Sequence, residues 1–154
     1  MGTSVETQTV NAFEWALTYY SSKNSDIVVA RTSSPDIADV RVSDAEYGDN
    51  NLLGWGSCST EQGTLYGGSA ANHSRWCDPQ IIRWNMTYYA PFLDVSTERR
   101  YLACHEFGHT IGLRHQTPRL DHLSSCMINF SFSDPRYPNT LESHDVSHIN
   151  SFYP

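Results

Sequence analysis

Basic charge is scarce in this chain: ten lysines and arginines stand against seventeen aspartates and glutamates, a formal net charge of -7 over 154 residues. No cluster of basic residues forms anywhere, which disfavours nucleic acid or an anionic membrane surface as a partner, and neither is expected. Long apolar runs are missing as well. Nothing approaches the roughly 20 residues a helix needs to cross a bilayer, and 39% hydrophobic with 18% charged residues reads as a soluble globular protein with no membrane partner. Met1-Gly2-Thr3-Ser4 lacks a basic segment followed by an apolar one, and Glu6 stands where a myristoylation signal needs Ser or Thr. The expectation is a mature domain, with Met1 as an expression start and a leader that is not in this chain. Cysteine is limited to Cys58, Cys77, Cys104 and Cys126, with no C-x-x-C pair. That disfavours a zinc ribbon or a thioredoxin-type site and favours two disulfides, hence a secreted or extracellular protein. Four cysteines allow three pairings. Internal repeats are absent, and the length suits one domain, 1–154, expected to be a monomer.

The pattern along the chain is α+β. Thr3 and Glu6 form a capping box, and Val10, Phe13, Leu17 and Tyr20 recur at helical spacing, predicting a helix from about Ser4 to Tyr20. Asp26 to Ala30 is short and β-branched, and Val40 and Val42 alternate with polar residues, so both read as strands around the Ser33-Ser34-Pro35 turn. From Gly48 to Ser74 the composition is rich in Gly and Ser, which suggests loops around a short edge strand near Thr64 to Tyr66. Ile82, Trp84, Met86 and Tyr88 alternate with Arg83, Asn85 and Thr87, the clearest strand signal, closed by Pro91. Ser96 can cap a following helix whose apolar face carries Ala103, Phe107 and Ile111, with Glu98 suited to its first turn. After Gly112 the chain is irregular until a last helix begins at Asn139 or Ser143, carrying Val146, Ile149 and Tyr153. Sequons begin at Asn72, Asn85 and Asn129 and matter only in a eukaryotic secretory pathway.

One stretch carries chemistry. His105-Glu106-Phe107-Gly108-His109-Thr110-Ile111-Gly112-Leu113-Arg114-His115 is the full H-E-x-x-H-x-x-G-x-x-H pattern of a catalytic zinc site. Histidines four apart share one helical face and can aim at one point. Glu106, on the flank of that face, can reach a metal-bound water without binding the metal, the position of a general base. Gly112 can end the helix in a left-handed conformation and turn the chain back, which makes His115 the third ligand. A buried amphipathic helix that merely carries histidines is the plainer reading. Five specified positions in this order arise by chance at roughly one in ten thousand or less in a chain of this length, which weighs against it. One catalytic Zn2+ is the cofactor expected; nothing indicates calcium.

Motif and element order together resemble a metzincin zinc metallopeptidase, and most of all a matrixin-like catalytic domain. The resemblance is specific over Cys104 to Met127, and Leu141 to Tyr153 also resembles the terminal helix of matrixins. It implies a twisted mixed sheet with N-terminal, active-site and C-terminal helices. It identifies Met127 with the Met-turn methionine beneath the zinc-bound histidines, and Tyr137, in Pro135-Arg136-Tyr137, with the segment that walls the S1′ pocket. With Met127 under the zinc, the resemblance implies a Cys104–Cys126 disulfide and leaves Cys58 with Cys77. Departures are equally specific. Matrixins hold a second zinc with upstream histidines, but His73 is the only histidine from Asp26 to Cys104, so one zinc is expected. Asn129 stands where astacins and serralysins carry a tyrosine, and Gln116 matches no subfamily's residue after the third histidine.

The implied activity is an endopeptidase acting on protein or peptide substrates, with Glu106 moving protons between water and leaving amine and an edge strand binding substrate in extended form. Two alternatives stand beside it: a zinc hydrolase of a non-protein amide or ester, and a non-catalytic binding module stabilised by zinc. The intact Glu106 argues against the module, since zinc binding alone needs only the histidines.

Overall fold

The computed structural model of the chain describes residues 5–23, 27–58, 79–88, 96–116, 124–128 and 138–153. Thr3, the edge strand expected at Thr64 to Tyr66, Cys77 and Tyr137 lie outside the described residues. Helix α1 spans Thr7–Lys23, beginning and ending later than its apolar spacing suggests. The Asp44 carboxylate explains its start, accepting from the Glu6 N–H (2.9 Å) and the Thr9 hydroxyl (2.7 Å). A distant residue thus supplies the acceptor and the negative charge that a helix N-terminus needs. Thr9, Ala12, Phe13, Ala16 and Tyr20 form the buried face at helical spacing.

Val40–Ala45 (β1), Gly54–Cys58 (β2) and Gln80–Asn85 (β3) make a mixed sheet in the order β1-β3-β2. β3 runs parallel to β1, with Val42 opposite Ile82, and antiparallel to β2, with Gly56 opposite Ile82. Three strand expectations need correction. Ile27 to Ala30 is not a strand: no backbone hydrogen bond joins it to β1, and its residues line a groove beside α1 and β1, with Val28 89% exposed. β-Branched composition favours a strand only where a ladder partner and packed neighbours exist. β2 lies inside the stretch read as loop, because its two glycines conceal a strand that pairing with β3 sustains. The β3 strand ends at Asn85 rather than running to Tyr88, and a 3-10 turn follows at Met86–Tyr88. Asn85 is fully buried, and its Oδ1 accepts from the Tyr47 and Thr87 N–H groups while Nδ2 donates to the Gly48 carbonyl and Asn50 Oδ1. That amide bends the chain away from the ladder.

Ser96–Thr110 forms α2 and Ser143–Phe152 forms α3. Among the described residues the architecture is therefore three α-helices with one small mixed sheet, an α+β chain, and no described helix is long and apolar enough to cross a membrane. The core joins Phe13 and Tyr20 of α1, Ile82 and Trp84 of β3, Leu102 and Phe107 of α2, and Met127. Phe13 meets Trp84 at 5.3 Å between ring centroids, and Tyr20 meets Phe107 edge-on at 4.9 Å. Tyr20 also donates to the Cys104 carbonyl at 2.9 Å, fixing α1 against the middle of α2.

Gly108 makes this contact between helices possible. A Cβ there would stand 2.7 Å from the Tyr20 hydroxyl and collide with the Met127 sulfur. Alanine is the better helix former by about 1 kcal/mol, but overpacking a tight core costs about 1–3 kcal/mol, so the clash should win. Gly108→Ala is expected to lower the urea midpoint; a raised midpoint would show that Tyr20 and Met127 yield easily.

Candidate metal centre

His105 and His109 stand one turn apart on α2, and the helix ends so as to bring a third imidazole to them. Gly112 takes φ 98°, the Gly112 N–H bonds the His109 carbonyl at 3.1 Å, and the Leu113 N–H reaches back to the Gly108 carbonyl at 2.9 Å. This is a left-handed helix stop that a residue without Cβ adopts freely. The chain reverses there, and His115 Nε2 arrives 3.0 Å from His105 Nε2 and 3.0 Å from His109 Nε2, with 3.2 Å between those two.

Hydrogen bonds at the other ring nitrogens decide what this triangle can hold. His105 Nδ1 lies 2.7 Å from the Cys126 carbonyl and His109 Nδ1 lies 2.9 Å from the Leu113 carbonyl. A carbonyl only accepts, so each Nδ1 carries the proton and each neutral ring turns a bare Nε2 lone pair inward. Two such lone pairs at 3.2 Å repel. Added protons would relieve this, yet burial, helped by the neighbouring His109 and His115 rings, lowers His105 to about 3, and burial together with His115 lowers His109 to about 4. Burial depresses His115 too. A cation between the three nitrogens removes the repulsion and uses all three lone pairs. Tetrahedral Zn–N bonds of about 2.0–2.1 Å set neighbouring nitrogens about 3.3–3.4 Å apart, close to the spacing found, so the donor set suits zinc. Among the described residues, these histidines are the group with geometry fit for a metal ion.

A buried turn supports the centre from below. The Cys126 carbonyl receives His105, the Met127 carbonyl receives the Gln116 N–H at 2.9 Å, and the Ile128 carbonyl receives the Tyr101 hydroxyl at 2.8 Å. Three successive carbonyls thus bind α2 and the chain beyond His115. Cys104 and Cys126, the pair expected from the sequence, are joined by a disulfide with 6.0 Å between their Cα atoms. Met127 is fully buried, with its sulfur against Gly108 between the two helical histidines. The cysteines and Met127 therefore meet the three histidines in one place.

Glu106 is 4% exposed, and burial raises its carboxyl to about 8. Its Oε1 lies 3.0 Å from where a Cβ on Gly54 would stand, so the start of β2 presses directly on this carboxylate. A cation on the histidines would favour the ionised form again. Tyr137 and Cys77 lie outside the described residues, while Cys58 is disulfide-bonded. Four residues of the site carry no sequence signal of their own: Gly54 and Gly108, present for their missing Cβ, Tyr101, which bonds the Ile128 carbonyl, and Asp145, whose carboxylate accepts from Gln116 and Ser125 across long sequence separations. Compared with protein-family models, curated proteins and solved structures, the chain matches none of them.

These groups give the metal-free protein a defined pH response. Glu106, raised from 4.5 to about 8, favours the fold while protonated in both states, and that contribution is lost as pH climbs from 4.5 to 8. His105 and His109, depressed from 6.5, withdraw stability as pH falls below 6.5, because the unfolded chain then binds protons that the fold refuses. Two histidines outweigh one glutamate on the acid side, so stability should peak near pH 6.5. Urea midpoints of chelator-treated protein should fall on both sides of that value, and Glu106→Gln should remove the decline between 6.5 and 8. A decline that persists in the variant would assign it to another group.

Proposed function

We propose that this chain is a zinc-dependent endopeptidase of metzincin type, matrixin-like in its catalytic domain and secreted. The observation that carries the reading is the convergence of three Nε2 atoms within 3.0–3.2 Å, two of them with the opposite nitrogen committed to a backbone carbonyl. The left-handed stop at Gly112, the sulfur of Met127 beneath α2 and the small mixed sheet with antiparallel β2 at its border among the described residues all support it. The Cys104–Cys126 bridge suits an oxidising compartment and so supports secretion.

His105, His109 and His115 would hold the metal as neutral ligands, their orientation set by the Cys126 and Leu113 carbonyls and the turn after Gly112. Bound zinc would lower the pKa of a coordinated water to about 7 and polarise a scissile carbonyl. Glu106, in its buried place beside His105, would accept the proton of the attacking water and return it to the departing amine. Burial would oppose the ionised form and the bound cation would favour it, so the two act in opposite directions on the carboxyl that exchanges the proton. β2 borders the sheet among the described residues and lies over Glu106, so an extended peptide can add alongside it through backbone hydrogen bonds. This favours a polypeptide over a small amide or ester.

The test separates binding from proton transfer. Purified protein should carry one zinc and cleave an unfolded protein substrate, and Glu106→Ala should keep the zinc while cleavage falls by about 10²–10⁴-fold. A variant that still cleaves within about tenfold of the parent would remove Glu106 from the mechanism, and a parent that takes up no zinc would end the reading altogether.

A further inference from the structure

His115 differs from its two fellow ligands. His105 and His109 each have an Nδ1 hydrogen bond to a backbone carbonyl, but no described residue meets Nδ1 of His115. Its ring also lies on an irregular segment and is the most exposed of the three. A ligand without an orienting bond must be oriented through its backbone, and the residue that follows it has such an anchorage. The Gln116 N–H bonds the Met127 carbonyl at 2.9 Å. The side-chain Nε2 of Gln116 donates to Asp145 Oδ1, with Ser125 Oγ 3.4 Å away.

Asp145 is the hub of this anchorage. It is 2% exposed, and its other oxygen accepts from the Ser125 hydroxyl at 2.8 Å and the Glu142 N–H at 2.9 Å. Ser125 Oγ in turn receives the Met127 N–H at 3.0 Å. The bond from the Glu142 N–H caps α3, since Glu142 and Asp145 form a reciprocal capping box. One carboxylate therefore ties the start of α3, the turn beneath the histidines and the residue after the third ligand. A buried carboxylate is stable only when such donors surround it, so the arrangement is geometrically demanding at all three ends.

We propose that Gln116 and Asp145 form a latch that positions His115, setting the affinity of the centre for zinc from α3. The assignment rests on the metal-site reading above, and they are positioning residues: neither touches the metal or a substrate. Partners that orient a metal ligand from behind typically contribute 10–100-fold to affinity.

The decisive measurement is zinc affinity by chelator competition on the full chain, with the urea midpoint of the metal-free protein taken alongside. Gln116→Ala removes the latch without touching the cap of α3 and should weaken zinc at least tenfold while the metal-free midpoint changes little. Gln116→Glu, which sets two carboxylates against each other, should weaken it as well. Adding Asp145→Asn to Gln116→Glu reverses donor and acceptor and should restore affinity to within about threefold of the parent, a rescue that general loosening of the fold would not give. Parent-like affinity in Gln116→Ala, or no recovery in the reversed pair, would overturn the latch and leave the zinc site standing. A parent that binds no zinc would remove both.

Discussion

Two bare nitrogen lone pairs 3.2 Å apart, with a third imidazole nitrogen 3.0 Å from each, repel unless a cation or a shared proton lies between them, and that constraint organises this molecule. The imidazoles cannot relax by taking protons, because burial opposes charge on each. Nor can the helical pair relax by swapping tautomers, because carbonyls at Cys126 and Leu113 demand the Nδ1 proton. The surroundings must hold the repulsive arrangement in place. They do so with a buried turn, a disulfide, a glycine stop and a capped terminal helix, all within a small volume.

Most of that support is backbone. Carbonyls at 126, 127 and 128 each accept from a different part of the centre, and Tyr20 bonds the Cys104 carbonyl from the far side of α2. Absent side chains matter as well: at Gly108 a tyrosine and a methionine come closer than a Cβ would permit, and at Gly54 the Glu106 carboxylate would be tight against one. The sheet contributes less to the ligands themselves than to Glu106, which β2 covers.

Legibility in the sequence followed the range of the interactions. His105, Glu106, His109, Gly112 and His115 could be read because helical periodicity and one left-handed residue place them locally. The helices at α2 and α3 were legible for the same reason. Ile27 to Ala30 misled because a strand exists only with a partner, and β2 was hidden because two glycines have no strand preference until β3 pairs with them. Asn85 ended β3 through contacts to residues 35 to 38 positions away, which alternation cannot reveal. Gln116 drew notice only as a departure from a family pattern. Its bond to Asp145, 29 residues on, gave it a physical meaning that spacing could not supply.

The chain of carbonyls at 126 to 128 has one more consequence. The turn is read through its backbone as well as through its side chains, of which Ser125, Cys126, Met127 and Ile128 are all fully buried. One residue inserted between Cys126 and Ile128 would put His105, Gln116 and Tyr101 out of step with their acceptors at once, whereas added loop on the surface costs only a slowly growing closure entropy. The centre is therefore intolerant of insertion in this turn, so that changes of length should accumulate in surface loops elsewhere.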